Sequence, residues 1–174
     1  MKDAELLSLM ISWNYWDGKK FPSLVERHEV KSLEHFLSGT LTVIIKGPRR
    51  SGRSSLMKIM YKRISKDIGD PISCFFINLE DFALAEEKLD TSLLERMYRI
   101  YRQHIRPIGK IYMFLDEVQN IKGWEKWVKT YREKEEIKFF ISGSSSKLGS
   151  KELSTLLTAD TLILPYFLSL LKVL

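Results

Sequence analysis

Residues 41–55, with the sequence LTVIIKGPRRSGRSS, decide the fold of this chain. The stretch begins with five apolar or β-branched residues, 41–45, which is typical of a buried strand. A glycine-rich loop, Gly47–Ser55, follows, and helical spacing of apolar residues continues over 53–66. The loop has the form G-x-x-x-x-G-[K]-[ST], with Arg53 in the position of the lysine. A strand, such a loop and a helix in direct succession predict a phosphate site, because backbone N–H groups converge there on the positive end of the helix.

Each part of this loop has its own chemical task. The glycines allow the backbone to curve around an anion, Arg53 would neutralise the outer phosphates, and the Ser54 hydroxyl would bind a magnesium ion. The alternative is an ordinary strand-to-helix turn with a basic rim, but the strand before the loop and the helix after it favour phosphate binding. The residues predicted to bind phosphates are Gly47, Pro48, Arg49, Arg50, Ser51, Gly52, Arg53, Ser54 and Ser55.

Two adjacent acids follow an apolar run further along the chain. Residues 110–115, KIYMFL, predict a strand, and Asp116 and Glu117 come directly after it. We expect this strand to lie beside the strand of the loop, so that Asp116 holds the magnesium and Glu117 polarises the attacking water. Two carboxylates would repel a phosphate chain unless a metal ion lay between them. The alternative is that Asp116 only caps the next element.

A run of serines, residues 142–146 with a glycine at 143, follows a predicted strand at 137–141. At the carboxyl edge of a parallel sheet, a hydroxyl at this point can touch the γ-phosphate or its attacking water. We prefer Ser142 over Ser144 for this role because it lies nearer the strand. A solvated serine turn that caps the next helix accounts for the same residues equally well.

Predicted strands and helices alternate along the chain. Such alternation gives parallel strands joined by right-handed crossovers, so the predicted class is α/β, with helices on both faces and ligands beyond the carboxyl ends of the strands. The predicted strands are 41–45, 73–78, 110–115, 137–141 and, as a fifth candidate, 162–164, and the predicted helices are 3–11, 28–37, 53–66, 91–106, 124–131 and 149–157.

Composition limits the compartment and the partners. A length of 174 residues with 44% apolar residues fits one domain with a substantial core. Since the lone cysteine, Cys74, cannot form an internal disulfide, we expect a cytoplasmic location. The apolar run 162–171 contains Pro165 and is too short to cross a bilayer, which takes about 20 residues. We expect no membrane role for this run. We interpret it as an apolar surface that is buried against protein, either this chain or a partner protein.

The net charge of +6 raises the question of nucleic acid. Eight basic residues and no acidic one lie within 46–66, so the excess charge is concentrated in the loop and its helix. This pattern favours a local field for phosphates over a general polyanion surface. Basic residues also occur in 91–106 and 122–134, but acids interrupt the second set and no nucleic-acid-binding motif is present. The positive net charge is therefore compatible with nucleic-acid binding, but no sequence motif supports it.

Three segments together resemble the AAA-type archaeal ATPases of the P-loop superfamily, in which the acidic Walker B motif has the form DEXQ. They are GPRRSGRSSL at 47–56, FLDEVQNIKGWEKWVKTY at 114–131 and FFISGSSSKLGSKELSTLLT at 139–158. The resemblance covers about residues 25–160. It implies a five-stranded parallel sheet of order 5-1-4-3-2 and the cofactors ATP or ADP with Mg²⁺. It further implies a Walker A loop at Gly47–Ser54, a Walker B acid at Asp116, the catalytic carboxylate Glu117 and a sensor at Ser142 or Ser144.

The chain departs from the pattern of this family at three places. Arg53 replaces the Walker A lysine, and a planar guanidinium does not substitute simply for a compact ammonium. Ala159-Asp160 stands where the family usually carries Gly-Arg, which removes a candidate arginine finger. The helical lid and C-terminal domain of the family are not matched. We expect an N-terminal helical and linker segment, 1–38, that packs on a P-loop nucleotide-binding domain, 39–174.

These observations lead to two main hypotheses. The first is an ATP-binding module with slow magnesium-dependent hydrolysis, in which Glu117, Arg53 and Ser142 are the catalytic residues. The second is a pseudo-ATPase that binds nucleotide and acts as an interaction module. Aromatic residues before the first strand either border the adenine pocket, as the resemblance implies, or pack as a linker on the core; they are Trp13, Tyr15, Trp16 and Phe21.

Overall fold

A computed structural model of the chain describes residues 1–18, 20–21, 39–105, 107–144, 148 and 161–165. Its centre is a five-stranded sheet in which every pair of neighbouring strands is parallel. The strands are β1 (Thr42–Gly47), β2 (Cys74–Asn78), β3 (Ile111–Asp116), β4 (Ile137–Ser144) and β5 (Thr161–Pro165). Their order across the sheet is β2-β3-β4-β1-β5, which confirms the predicted order 5-1-4-3-2.

Four helices accompany the sheet in the described part of the chain: α1 (Asp3–Trp13), α2 (Arg53–Ile68), α3 (Thr91–His104) and α4 (Trp124–Lys134). Each of them was predicted from apolar spacing, with ends that differ by a few residues. Helix α3 begins where Asp90 accepts a hydrogen bond from the backbone N of Ser92 at 2.9 Å. The predicted helices at 28–37 and 149–157, and the Ala159-Asp160 pair, lie outside the described residues.

The core has two layers, one on each face of the sheet. In β1, Ile44 faces the layer that also contains side chains of α1, α3 and α4. Val43 and Ile45 face the opposite layer, which is built mainly on α2. This alternation follows from the two-residue period of a strand, and both faces of β1 are apolar because both are covered. The layers confirm the three-layer α/β class, in which β1 is an inner strand between β4 and β5.

Strand β4 continues further than its apolar pattern predicts. The prediction ended the strand at residue 141, whereas the structure extends it to Ser144. The polar residues stay in the sheet because they remain paired with β1, in the register Ile45 with Ser142 and Gly47 with Ser144. Ser142 and Ser144 are therefore buried residues at the end of a strand and not part of a solvated turn, whereas the serines at 145 and 146 lie outside the described residues.

Side chains of the N-terminal segment cover the edge of β2. Asn14 is fully buried, and its Nδ2 donates a hydrogen bond to the carbonyl of Phe76 at 2.8 Å. The backbone N of Phe76 donates in return to Asn14 Oδ1 at 2.7 Å. The indole of Trp16 donates to the carbonyl of Cys74 at 2.8 Å. These bonds take the place of a neighbouring strand, since an edge strand otherwise leaves its N–H and C=O groups without partners.

Two expectations from composition concern single features of the fold. Cys74 is buried in β2, and burial raises the pKa of its thiol above the ordinary value. Within the parts of the chain that the structure describes, no helix combines the length and the apolar character needed to cross a bilayer. The first residues of the apolar run 162–171 belong to β5, and the remainder lies outside the described residues, so its role as a partner surface stays a prediction.

We expect Asn14→Ala to lower the free energy of unfolding by about 2–4 kcal/mol, because it leaves two buried backbone groups of Phe76 without partners. Urea denaturation followed by circular dichroism measures the change. Ser8→Ala is the control, since it removes only an exposed intrahelical bond from Ser8 Oγ to the carbonyl of Ala4. A loss for Asn14→Ala no larger than that for Ser8→Ala would contradict the edge-covering role.

Candidate functional site

The glycine-rich loop leaves β1 at its carboxyl end and enters α2 directly. Gly52 is the N-cap of α2 and has the left-handed φ of 87°, which glycine adopts at little cost. Because Gly52 has no side chain, no N-cap group competes for the backbone N–H groups of the first helical turn. These groups and the positive end of the helix form the kind of site in which proteins bind phosphates.

Two buried polar atoms in the loop have no hydrogen-bond partner in the described part of the chain. They are the hydroxyl oxygen of Ser51 and Nε of Arg53. Buried polar atoms are normally paired, because an unpaired donor or acceptor costs about 1–3 kcal/mol. Unpaired atoms at this position fit a loop that is completed by an oxygen-rich ligand.

The two acids lie beside the loop, but by a route that differs from the expectation. The strand that carries them, β3, is not a neighbour of β1, because β4 lies between the two. The prediction of adjacent strands was therefore wrong. Asp116 still meets Ser54 of α2, whose hydroxyl donates a hydrogen bond to its carboxylate. β4, which separates β1 from β3, ends in the small residues Ser142, Gly143 and Ser144, and α2 contacts both β3 and β4.

Ser142 connects the two acids to β4. Its hydroxyl donates to Asp116 Oδ1 and accepts a hydrogen bond from the backbone N of Glu117 at 3.1 Å. Ser142 is fully buried, and both functions of its hydroxyl are used by the acids. The structure thus brings Ser142 to the predicted site, in contact with the carboxylate of Asp116. Direct contact of Ser142 with a γ-phosphate stays a prediction.

Asp116 is only 4% exposed, and this burial raises the pKa of its carboxyl above the ordinary value. Hydrogen bonds from Ser142 and Ser54 oppose the shift, Glu117 adds to it by like-charge repulsion, and Arg53 reduces it. A buried carboxylate of this kind gains from a nearby cation. Ser54 and Asp116 carry oxygen atoms of the kind that Mg²⁺ prefers, and they are the residues that would hold such an ion if it bound here.

Arg53 is drawn inward instead of extending from the loop. It is 3% exposed, and its Nη1 donates to the carbonyls of Gly47 and, at 2.7 Å, Pro48. Its Nη2 forms an ion pair with Glu117 Oε1. Glu117 itself has a left-handed φ of 56°, which is uncommon outside glycine. The residue at the lysine position is thus bonded directly to the predicted catalytic carboxylate.

One residue of the site had no role in the sequence-based prediction. Gln119 donates from Nε2 to Glu117 Oε2 at 2.6 Å and so contacts the carboxylate oxygen that Arg53 leaves free. The DEVQ sequence contained this signal, because a glutamine two residues after the acid returns to it when the intervening residues turn. The turn is a short 3-10 segment, Val118–Asn120.

A cavity of about 510 Å³ opens in front of these groups. Its lining includes Ser54, Asp116 and Glu117, together with Trp13 and Tyr15. Among the aromatic residues of the N-terminal segment, these two therefore reach the cavity. Phe21 stacks on Tyr15 with 3.9 Å between ring centroids, and Trp16 packs on Phe75 and Tyr101. Of the loop cations, Arg49 lies at the cavity and forms an ion pair with Glu80.

We expect Asp116→Asn to raise the melting temperature at pH 7, and in a domain of this size each kcal/mol of added stability corresponds to about 2–4 °C. An acid whose pKa is raised on folding destabilises the folded state once it ionises. The difference from the unchanged protein should therefore vanish near pH 4 and grow as pH rises. Calorimetric scans across pH measure it, with the exposed Asp67→Asn as control. A lower melting temperature for Asp116→Asn at pH 7 would refute the burial argument.

Comparisons with known proteins agree with this architecture. An uncharacterised protein of Methanocaldococcus jannaschii is 32% identical over 120 residues, which are 68% of this chain and 24% of that protein. An uncharacterised protein of Haemophilus influenzae is 30% identical over 130 residues, 74% of this chain and 32% of that protein. The chain spans about a quarter of the length of the first of these curated relatives and about a third of the second.

Solved structures share the fold at low sequence identity. The ORC2 protein of Aeropyrum pernix, solved in ADPNP–ADP complexes, is 19% identical with a TM-score of 0.52 over 86% of this chain and 50% of that one. PCH-2 of C. elegans is 14% identical with a TM-score of 0.50 over 76% of this chain and 37% of that one. A family model described as the AAA domain matches residues 40–168, which include the loop, both acids and all five strands. The chain therefore belongs to the AAA domain family and is a nucleotide-binding P-loop module of the AAA type.

Proposed function

We propose that this chain binds ATP with Mg²⁺ at the loop Gly47–Ser55 and hydrolyses it slowly to ADP and phosphate. The observation that carries the proposal is that the loop, the Ser54–Asp116 contact and Glu117 meet at one cavity. Each group on its own has an ordinary structural explanation. Together they supply a phosphate cradle, oxygen ligands for a metal and a carboxylate that can polarise water.

In this proposal the phosphates lie against the first turn of α2, where backbone N–H groups and the helix dipole favour negative charge. Ser54 and Asp116 would hold the metal ion, which supplies charge neutralisation at the phosphates when bound. Glu117 would orient and polarise the attacking water from the β3 side. Ser142 keeps Asp116 and the backbone of Glu117 at a fixed separation.

Arg53 accounts for the slow rate that we propose. Its guanidinium is bonded to two loop carbonyls and to Glu117. A planar guanidinium has five donors in a rigid fork and reaches all three partners at once, whereas an ammonium has three donors on a single nitrogen atom and is more strongly hydrated. Glu117 can act on water only when this ion pair opens, and phosphates must compete with Glu117 for Arg53. We therefore expect nucleotide binding to survive better than turnover.

A pseudo-ATPase is the second candidate, and the same ion pair favours it. If the Arg53–Glu117 pair stays closed with nucleotide bound, the chain binds ATP and ADP without hydrolysis. Nucleic-acid binding receives less support from the described residues. On α3, Arg96 is bonded to Asp3 at 2.7 Å and to Glu87 at 3.3 Å, and Tyr98 and Tyr101 are buried. These side chains are engaged within the protein and do not form a basic, aromatic surface.

Titration calorimetry with ADP, and with a non-hydrolysable ATP analogue, tests binding in the presence and absence of Mg²⁺. We expect saturable binding that Mg²⁺ strengthens and that Asp116→Asn weakens, because one metal ligand is lost. Phosphate release measured in parallel tests hydrolysis, and Glu117→Gln should abolish it while binding remains. No saturable binding at millimolar nucleotide would overturn the proposal.

Arg53→Lys should raise kcat by about tenfold or more, because an ammonium releases Glu117, and tenfold corresponds to about 1.4 kcal/mol in the barrier. Arg63→Lys is the matched control, since it makes the same change on α2 at a residue whose Nε pairs with Asp67 at 3.9 Å and not with Glu117. Phosphate release by both variants is compared with that of the unchanged protein. Binding with no turnover in any of the three proteins would favour the pseudo-ATPase instead.

A further inference from the structure

Gln119 joins the carboxylate of Glu117 to the end of β4. Its Nε2 donates to Glu117 Oε2 at 2.6 Å, and its Oε1 accepts a hydrogen bond from the backbone N of Ser144 at 3.3 Å. Ser144 is the last residue of β4 and is paired with Gly47 at the start of the phosphate loop. A single side chain thus spans from the acid to the strand that borders the loop.

The two bonds of Gln119 require an amide and fix its direction. A backbone N–H can only donate, so the oxygen of the amide must face Ser144. An ionised carboxylate can only accept, so the NH₂ group must face Glu117. A glutamate at this position would place two carboxylates against each other, and an aliphatic side chain would offer no donor.

Glu117 is held from two opposite sides. Arg53 binds Oε1, Gln119 binds Oε2, and Ser142 accepts the backbone N–H. An arginine and a carboxylate tend to form a two-bonded pair in which both oxygens face the guanidinium. Gln119 retains one of these oxygens and so keeps the carboxylate from turning fully onto Arg53.

The space for Gln119 depends on the missing side chain of Gly143. A Cβ at this position would lie 2.7 Å from Gln119 Oε1 and 2.5 Å from Leu148 Cδ1, closer than real Cβ contacts. The end of β4 therefore leaves room for the amide at the point where it binds Ser144. The glycine at the end of β4 and the amide of Gln119 are complementary in shape. A contact that formed by chance on the surface would not need a glycine at this position.

We propose that Gln119 is a positioning residue for hydrolysis: it holds Glu117 at the angle needed to polarise water. The inference rests on the proposed function. In the step concerned, the water oxygen bonds to the γ-phosphorus, Glu117 accepts the proton, and the bond from the γ-phosphorus to the β,γ-bridging oxygen breaks to release ADP. Gln119 takes part only through Glu117, so its loss should affect the rate of this step more than nucleotide affinity.

Two variants separate positioning from charge. Gln119→Leu removes the donor without adding charge, and Gln119→Glu adds a carboxylate. Both should lower kcat by about 10- to 100-fold, as expected for a displaced catalytic group. KM and the dissociation constant of Mg²⁺–ADP should change by less than about threefold. The matched control is Asn120→Asp, an amide-to-acid change in the same turn; Nδ2 of Asn120 donates to the carbonyl of Leu79 at 3.2 Å.

The outcomes distinguish this inference from the proposed function. Absence of nucleotide binding by the unchanged protein overturns both. Binding without measurable turnover in the unchanged protein overturns the positioning role and leaves the binding site in place. A kcat that stays normal in Gln119→Leu, or that falls equally in Asn120→Asp, also overturns it. Thermal unfolding of each variant identifies any that does not fold, and the remaining Gln119 variant then decides.

Discussion

The pairing of β4 with both β1 and β3 is the constraint on which the whole site depends. Through β1 it borders the phosphate loop, and through β3 it borders the two acids. The loop and the acids would lie too far apart to cooperate without a strand whose end carries small polar residues. Ser142 and Gly143 meet this need, because one offers a hydroxyl that bonds to both acids and the other leaves space for an amide.

Electrostatics within the site are organised around opposite charges that belong to different elements. The loop and α2 carry the excess of positive charge, yet two of the loop cations are bonded to acids that follow the ends of neighbouring strands: Arg49 to Glu80 and Arg53 to Glu117. An exposed pair such as the first contributes little. The second is buried, and breaking it exposes each partner to a large desolvation penalty unless another charge replaces it. Under the proposed function, phosphates would replace Glu117 as the partner of Arg53, and a cation would replace Arg53 as the partner of Glu117.

Much of the fold could be predicted from the sequence, because buried parallel strands and amphipathic helices have strong local patterns. The loop and the acid pair could also be predicted, since each motif is contiguous. The bonds of Arg53 and Asn14, and the bond from Ser144 to Gln119, could not, because each joins groups whose approach is set by packing. Strand order is a further example. The expected adjacency of β1 and β3 is wrong, whereas the order that the family resemblance implies is correct. The bond from Gln119 to Glu117 is local, and the DEVQ sequence contained its signal. The archaeal DEXQ subtype and the domain boundary at residue 38 stay predictions.

The cover that Asn14 and Trp16 place over β2 has a consequence for the behaviour of the protein in concentrated solution. A bare outer strand is a template on which another chain can add, and such addition leads to association and precipitation. Here two side chains from the first turn of chain beyond α1 occupy the bonding positions that an incoming strand would need. The N-terminal segment thereby blocks strand addition at the β2 edge. Its packing against β2 therefore opposes association between molecules as well as stabilising the fold.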